Sequence, residues 1–112
     1  MPPAPPILAL GPGLGFSVPV AKATQPAGIV TIQGNVGLTT VVVFYGTTNG
    51  QVDPKKLVVK YSVGKGPGST IPVTLTAADL AVLGTNAVLC SANQYDEAGN
   101  PSSDAQMWIT IV

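Results

Sequence analysis

Leu57-Val58-Val59-Lys60-Tyr61-Ser62-Val63 is the stretch that decides the fold class. Its large apolar residues Leu57, Val59, Tyr61 and Val63 recur at every second position, interleaved with Val58, Lys60 and Ser62. A period of two marks a strand with one face buried, because successive side chains leave the backbone on opposite sides. On this reading Leu57, Val59, Tyr61 and Val63 form the inward set, and Tyr61 belongs to the core.

The same rhythm extends in both directions. Upstream lie Ile29-Val30-Thr31-Ile32-Gln33, closed by Gly34-Asn35, and Thr40-Val41-Val42-Val43-Phe44-Tyr45, closed by Gly46. Downstream, Ile71, Val73 and Leu75 alternate with polar or small residues, and Val88, Cys90 and Ala92 form a further inward set. At the end Met107, Ile109 and Ile111 alternate with Trp108, Thr110 and Val112, so Trp108 is out of phase with the inward residues. Asn49-Gly50 and Gly99-Asn100-Pro101 supply turn chemistry, and Gly64-Lys65-Gly66-Pro67-Gly68 a flexible crossing. Many short strands at regular spacing predict an all-β sandwich or barrel. One helical turn interrupts the pattern: Thr76 and Asp79 have capping-box spacing, the residues between Thr76 and Gly84 favour helix, and Gly84 suits a stop.

Charged residues are only 9% of the 112, and five Lys balance five Asp and Glu with no Arg and no His. Phosphate binding rests on clustered positive charge, so nucleic acid and anionic membranes are not expected partners. Either neighbours cover much of this neutral surface in use, or Thr, Asn, Gln and Ser keep it dissolved. Hydrophobic residues, 46% of the chain, are ample for one core. No apolar run reaches membrane-spanning length, and no basic, apolar leader is visible. The chain is therefore expected either to be made and kept in the cytoplasm, or to be a piece of a longer secreted protein. Cys90 is alone, cannot form an intramolecular disulfide, and reads as a buried thiol.

Residues 1–15 are rich in Pro and Gly and read as an arm leading into a domain over 16–112. Ile7-Leu8-Ala9-Leu10 inside that arm would be wasted in a free tail, so Ile7, Leu8 and Leu10 are candidate docking residues. Tyr45 and Trp108 are candidate contact anchors, since aromatics dominate interfaces. Trp108 alternatively covers the edge of the sandwich. Lys55-Lys56 reads as protection of an edge strand, or otherwise as a small basic contact patch.

Residues 71–100 resemble bacterial immunoglobulin-like domains, with a strand, a short alanine-rich helical turn, a strand of alternating small residues, and the turn Asp96-Glu97-Ala98-Gly99-Asn100 before the last strand. In that turn Asp96 can bond backbone amides, while Gly99 and Asn100 tolerate left-handed backbone. The resemblance is close over the last third of the chain and elsewhere rests on strand pattern. It implies an immunoglobulin-like antiparallel β-sandwich of seven or eight strands. The chain departs from antibody-type domains in having Cys90 without a partner and Val88 where those have tyrosine. Such modules occur in tandem in surface adhesins and singly on bacteriophage capsids and tails. A lone copy with its own Met1 and an added arm looks more like the phage type.

Enzyme chemistry is not expected, because no His is available for acid–base work and no activated Ser or Cys constellation is visible. Asp96, Glu97 and Asp104 could in principle gather around Ca²⁺, but a turn-stabilising Asp with two solvated acids explains them first; no metal and no cofactor is expected. Gly11-Pro12-Gly13-Leu14-Gly15 is no phosphate loop, since Pro12 removes an amide donor. The functional expectation is a non-enzymatic virion structural protein, a capsid decoration or other head or tail accessory protein. It would be made in the host cytoplasm, sit on the virion surface, and bind capsid or tail subunits, and itself, through its arm and sheet edges. The alternatives are a module of a bacterial cell-surface adhesin, a carbohydrate-binding domain recognising a glycan, and, more weakly, an enzyme accessory domain.

Overall fold

In the computed structural model, which describes residues 3–112, strands dominate and lie in two sheets. The smaller sheet has the order β1 (Ile7–Leu10), β3 (Val30–Gln33), β6 (Ile71–Val73), all antiparallel. The larger has the order β2 (Ser17–Val18), β8 (Ala105–Ile111), β7 (Ala87–Tyr95), β4 (Thr39–Thr48), β5 (Gln51–Val63). Its pairs are antiparallel except β2 with β8. Side chains from both sheets meet in one core: Ile32 and Val73 from the smaller, Phe44, Val88, Cys90 and Ile109 from the larger. Burying each of the larger of these contributes roughly 1.5–3 kcal/mol. The core makes this an all-β, two-layer molecule.

Most inward sets fall as their periodicity requires. Val88, Cys90 and Ala92 are buried on β7, and Ile109 and Ile111 on β8, with Met107 partly buried against them. Asn49 and Gly50 both have positive φ, 54° and 79°, as a two-residue hairpin between β4 and β5 demands. The helical turn is α2 (Ala77–Leu83), with a complete capping box: the Asp79 amide donates to Thr76 Oγ1 at 3.1 Å, and the Thr76 amide donates to Asp79 Oδ2 at 2.8 Å. Gly84 follows as its C-cap. A second short helix, α1 (Val20–Ala23), was not legible in the pattern; Pro19 precedes it with φ −62°, and Ala23 is its one buried residue.

The Pro/Gly-rich segment read as an arm over 1–15 contributes a strand to the sandwich itself. Ile7–Leu10 form β1 and pair with β3 from Ile7 opposite Gln33 to Leu10 opposite Val30. Met1 and Pro2 of that segment lie outside the described residues.

The phase of β5 is the reverse of the sequence reading. Leu57, Val59, Tyr61 and Val63 are 43%, 37%, 72% and 55% exposed, whereas Val58 is buried. Tyr61 is therefore not a core residue. The cause is the neighbouring strand. Val42 and Phe44 of β4 fill the interior, and they stand opposite Lys60 and Val58. Cross-strand pairing fixes one parity for both strands, so Val58, Lys60 and Ser62 turn inward and the richer apolar row turns out. On the inner side Lys60 Nζ lies 2.6 Å from Asp79 Oδ2 of α2. Gly46 allows α2 to sit close, because a Cβ there would lie 2.7 Å from the Leu83 carbonyl oxygen.

Candidate interaction surface

The outer surface of the larger sheet is built by that same parity. Tyr61 stands beside Val41, which stands beside Asn93. The next row is Val59, Val43, Ser91 and Gln106, and the next Leu57, Tyr45, Leu89 and Trp108. Val63, Thr39 and Tyr95 extend the face at one end. Eight of its side chains are aliphatic or aromatic in three adjoining rows, and no outward position in these rows carries a charge. The largest apolar patch on a protein of this kind is often a contact site.

Of the residues singled out from sequence, Tyr45 and Trp108 lie on this face. Tyr45 is half-buried between Leu57 and Leu89, and Trp108, opposite Leu89, is 48% exposed. The candidates on β1 divide. Leu8 and Leu10 pack against the chain's own core, while Ile7 is 60% exposed. Pairing with β3 again sets the alternation.

Asp96, Gly99 and Asn100 form the expected turn. The Asn100 amide donates to Asp96 Oδ1 at 2.8 Å, Asn100 Nδ2 donates to Oδ2 at 3.1 Å, and the Gly99 amide donates to the Asp96 carbonyl at 3.0 Å. Gly99 takes positive φ at 85°; Asn100 does not, and acts through its two donors instead. Those donors hold the Asp96 carboxyl below its ordinary range, the backbone amide of Asn100 first. Asp104 accepts from Asn93 Nδ2, and among the described residues no three Asp, Glu, Cys or His side chains gather as a cation site. Lys55 and Lys56 lie on β5, which is an edge strand of the larger sheet. Lys56 Nζ donates to the Thr47 carbonyl at 3.1 Å, and Asp53 accepts from the Lys55 amide at 3.0 Å. Cys90 is buried, and desolvation pushes its thiol up to about 12, which favours the protonated thiol at neutral pH.

The sequence reading missed the residues that make the face apolar, namely Leu57, Val59, Tyr61 and Val63 with Val41 and Val43. The available signal was Val42 and Phe44: with β4 as a central strand, their parity dictates that of β5. A cleft of about 190 Å³ opens where β5 and β6 border the two layers, with Lys60, Ser62, Pro72 and Thr74 among its lining. Among the described residues the Ser62 hydroxyl has no hydrogen-bond partner.

No protein-family model, curated protein or solved structure matches this chain.

Proposed function

We propose that this chain is an immunoglobulin-like sandwich acting as a non-enzymatic virion structural protein, decorating a bacteriophage capsid or serving as another head or tail accessory. The observation that carries the reading is the set of uncharged apolar rows on the outer face of the larger sheet, the kind of surface that protein neighbours cover in an assembled particle. The immunoglobulin-like assignment is supported by the three- and five-stranded sheets, the capped helical turn between β6 and β7, and the Asp96–Asn100 turn before β8. Attachment is through contacts with capsid or tail subunits, including the exposed Ile7 on the β1 edge. Many copies on a repeating lattice hold firmly even when each contact is modest. The protein is made in the host cytoplasm and ends on the virion surface.

The test is co-sedimentation of purified protein with particles lacking it. Saturable pelleting is expected; protein that stays in the supernatant at every particle concentration overturns the reading.

A second reading, an adhesin or carbohydrate-binding module on a bacterial surface, is favoured by one observation. Trp108 is half-exposed, with the exposed Gln106 on the same side of β8. An exposed aromatic plate with the exposed amide of Gln106 on the same side suits a sugar ring. Binding on a glycan array that Trp108→Ala abolishes would favour this reading over the first.

A further inference from the structure

We propose that a second copy of this chain covers the outer face of the larger sheet, so that the protein works as a face-to-face dimer. The inference rests on the reading that this face is covered by protein, and it names the partner.

Charge argues for self-pairing. In a two-fold interface the same patch meets itself, so a charge near the axis meets its like. The rows from Tyr61 to Asn93, Val59 to Gln106 and Leu57 to Trp108 contain none. A foreign partner is normally registered by complementary charges within the contact, and this face carries a carboxylate, Asp104, only at its margin beside Asn93. With a formal net charge of zero, two copies also approach without long-range repulsion.

Area points the same way. Four strands at about 4.8 Å spacing, over the five residues the three rows span at about 3.3 Å each, give a face of at most roughly 320 Å² in projection. Two such faces, larger again in accessible area, bury an area at the low end for protein contacts, which suits a weak, concentration-dependent dimer. Valines in strands have little rotamer freedom to lose, which lowers the entropic cost of association.

The geometry also selects face over edge. The β5 edge carries Pro54, Lys55 and Lys56, which oppose strand-to-strand addition. Behind the face, buried Val58 and the Lys60–Asp79 pair fix β5 to the body, so the row Leu57, Val59, Tyr61, Val63 is presented by a supported strand.

The experiment is sedimentation equilibrium of the full chain over about 1 µM to 1 mM, the range of weak to moderate interfaces. The mass is expected to rise from 11.3 kDa towards twice that value. The emission of Trp108, the one tryptophan, should shift to the blue with the same midpoint as it leaves water. Val59→Lys brings an uncompensated ammonium into the apolar contact and should weaken association by about a hundredfold or more. Its far-ultraviolet circular dichroism should match the parent. If that variant does not fold, Tyr61→Ser at the most exposed position replaces it, with about tenfold weakening expected. A wild-type chain that stays at 11.3 kDa throughout overturns the inference, as does a dimer indifferent to the substituted face. A monomer that pellets with particles would leave the decoration reading standing, whereas a dimer that ignores particles would sink only that reading.

Discussion

Gln94 ties together parts of the chain that are far apart in sequence. Its Oε1 accepts from the Asn35 amide at 2.9 Å, its Nε2 donates to the Ala4 carbonyl at 2.6 Å, and its own amide donates to Ser102 Oγ at 3.0 Å. The side chain is almost fully buried. It continues the inward set Val88, Cys90, Ala92 at the next step of two, and a polar residue in that phase signals a buried network. Gln94→Ala leaves the Asn35 amide and the Ala4 carbonyl without their partner, and should lower stability by about 1–3 kcal/mol in urea titration. Asp96 gives a pH-dependent counterpart. Its carboxyl is held below the ordinary 3.8 by the Asn100 donors. A depressed folded-state value means that the turn's contribution is complete above the ordinary value and is lost as pH falls through the depressed one. Asp96→Asn should therefore be less stable than the parent at neutral pH, with the gap closing in strong acid; urea midpoints at both conditions check this.

Among the elements, α2 and β5 show what was legible and what was not. α2 was legible to its ends, because capping is local chemistry: Thr76, Asp79 and Gly84 carry it within nine positions. Thr76→Ala removes one half of the box and should cost about 1 kcal/mol, measured as a lower urea midpoint. Asp79 does double duty. Burial alone would raise its carboxyl, but the bonds from Lys60 and Thr76 outweigh burial and hold it below the usual range. β5 was legible as a strand but not in its orientation. A period of two says that one face differs from the other, not which is inside. That is decided by β4, whose Val42 and Phe44 had to be recognised as core before Tyr61 could be placed. β1 was half legible: Ile7-Leu8-Ala9-Leu10 was expected to dock, but its partners on β3 lie twenty to twenty-six positions away, and no local signal names them. Trp108 was placed out of phase with the core, where the structure has it, but its neighbours Leu89, Tyr45 and Leu57 come from three other strands and only the assembled sheet brings them together.

At the scale of the molecule, the chain solves its inner problem conventionally and its outer one unusually. Two sheets enclose an apolar core around Phe44 and Ile109, while the second face of the larger sheet carries three apolar rows with a charge only at the margin, at Asp104. Nearly all charged groups sit at turns, ends and the α2 side, where they cap, pair or stabilise bends, as Asp53, Asp79 and Asp96 do. This arrangement is the basis for the proposed dimer and for the proposed place on a particle. The outward turn of the β5 row underlies both.

That orientation is tested most directly by native-state thiol labelling of Val58→Cys and Tyr61→Cys in dilute protein, with buried Cys90 as the internal control. The account predicts that the thiol at position 61 reacts within about tenfold of a free cysteine, while the thiol at 58 and Cys90 react at least about a hundredfold more slowly, limited by opening of the fold. Rapid labelling at 58 together with protection at 61 that persists on dilution would contradict it.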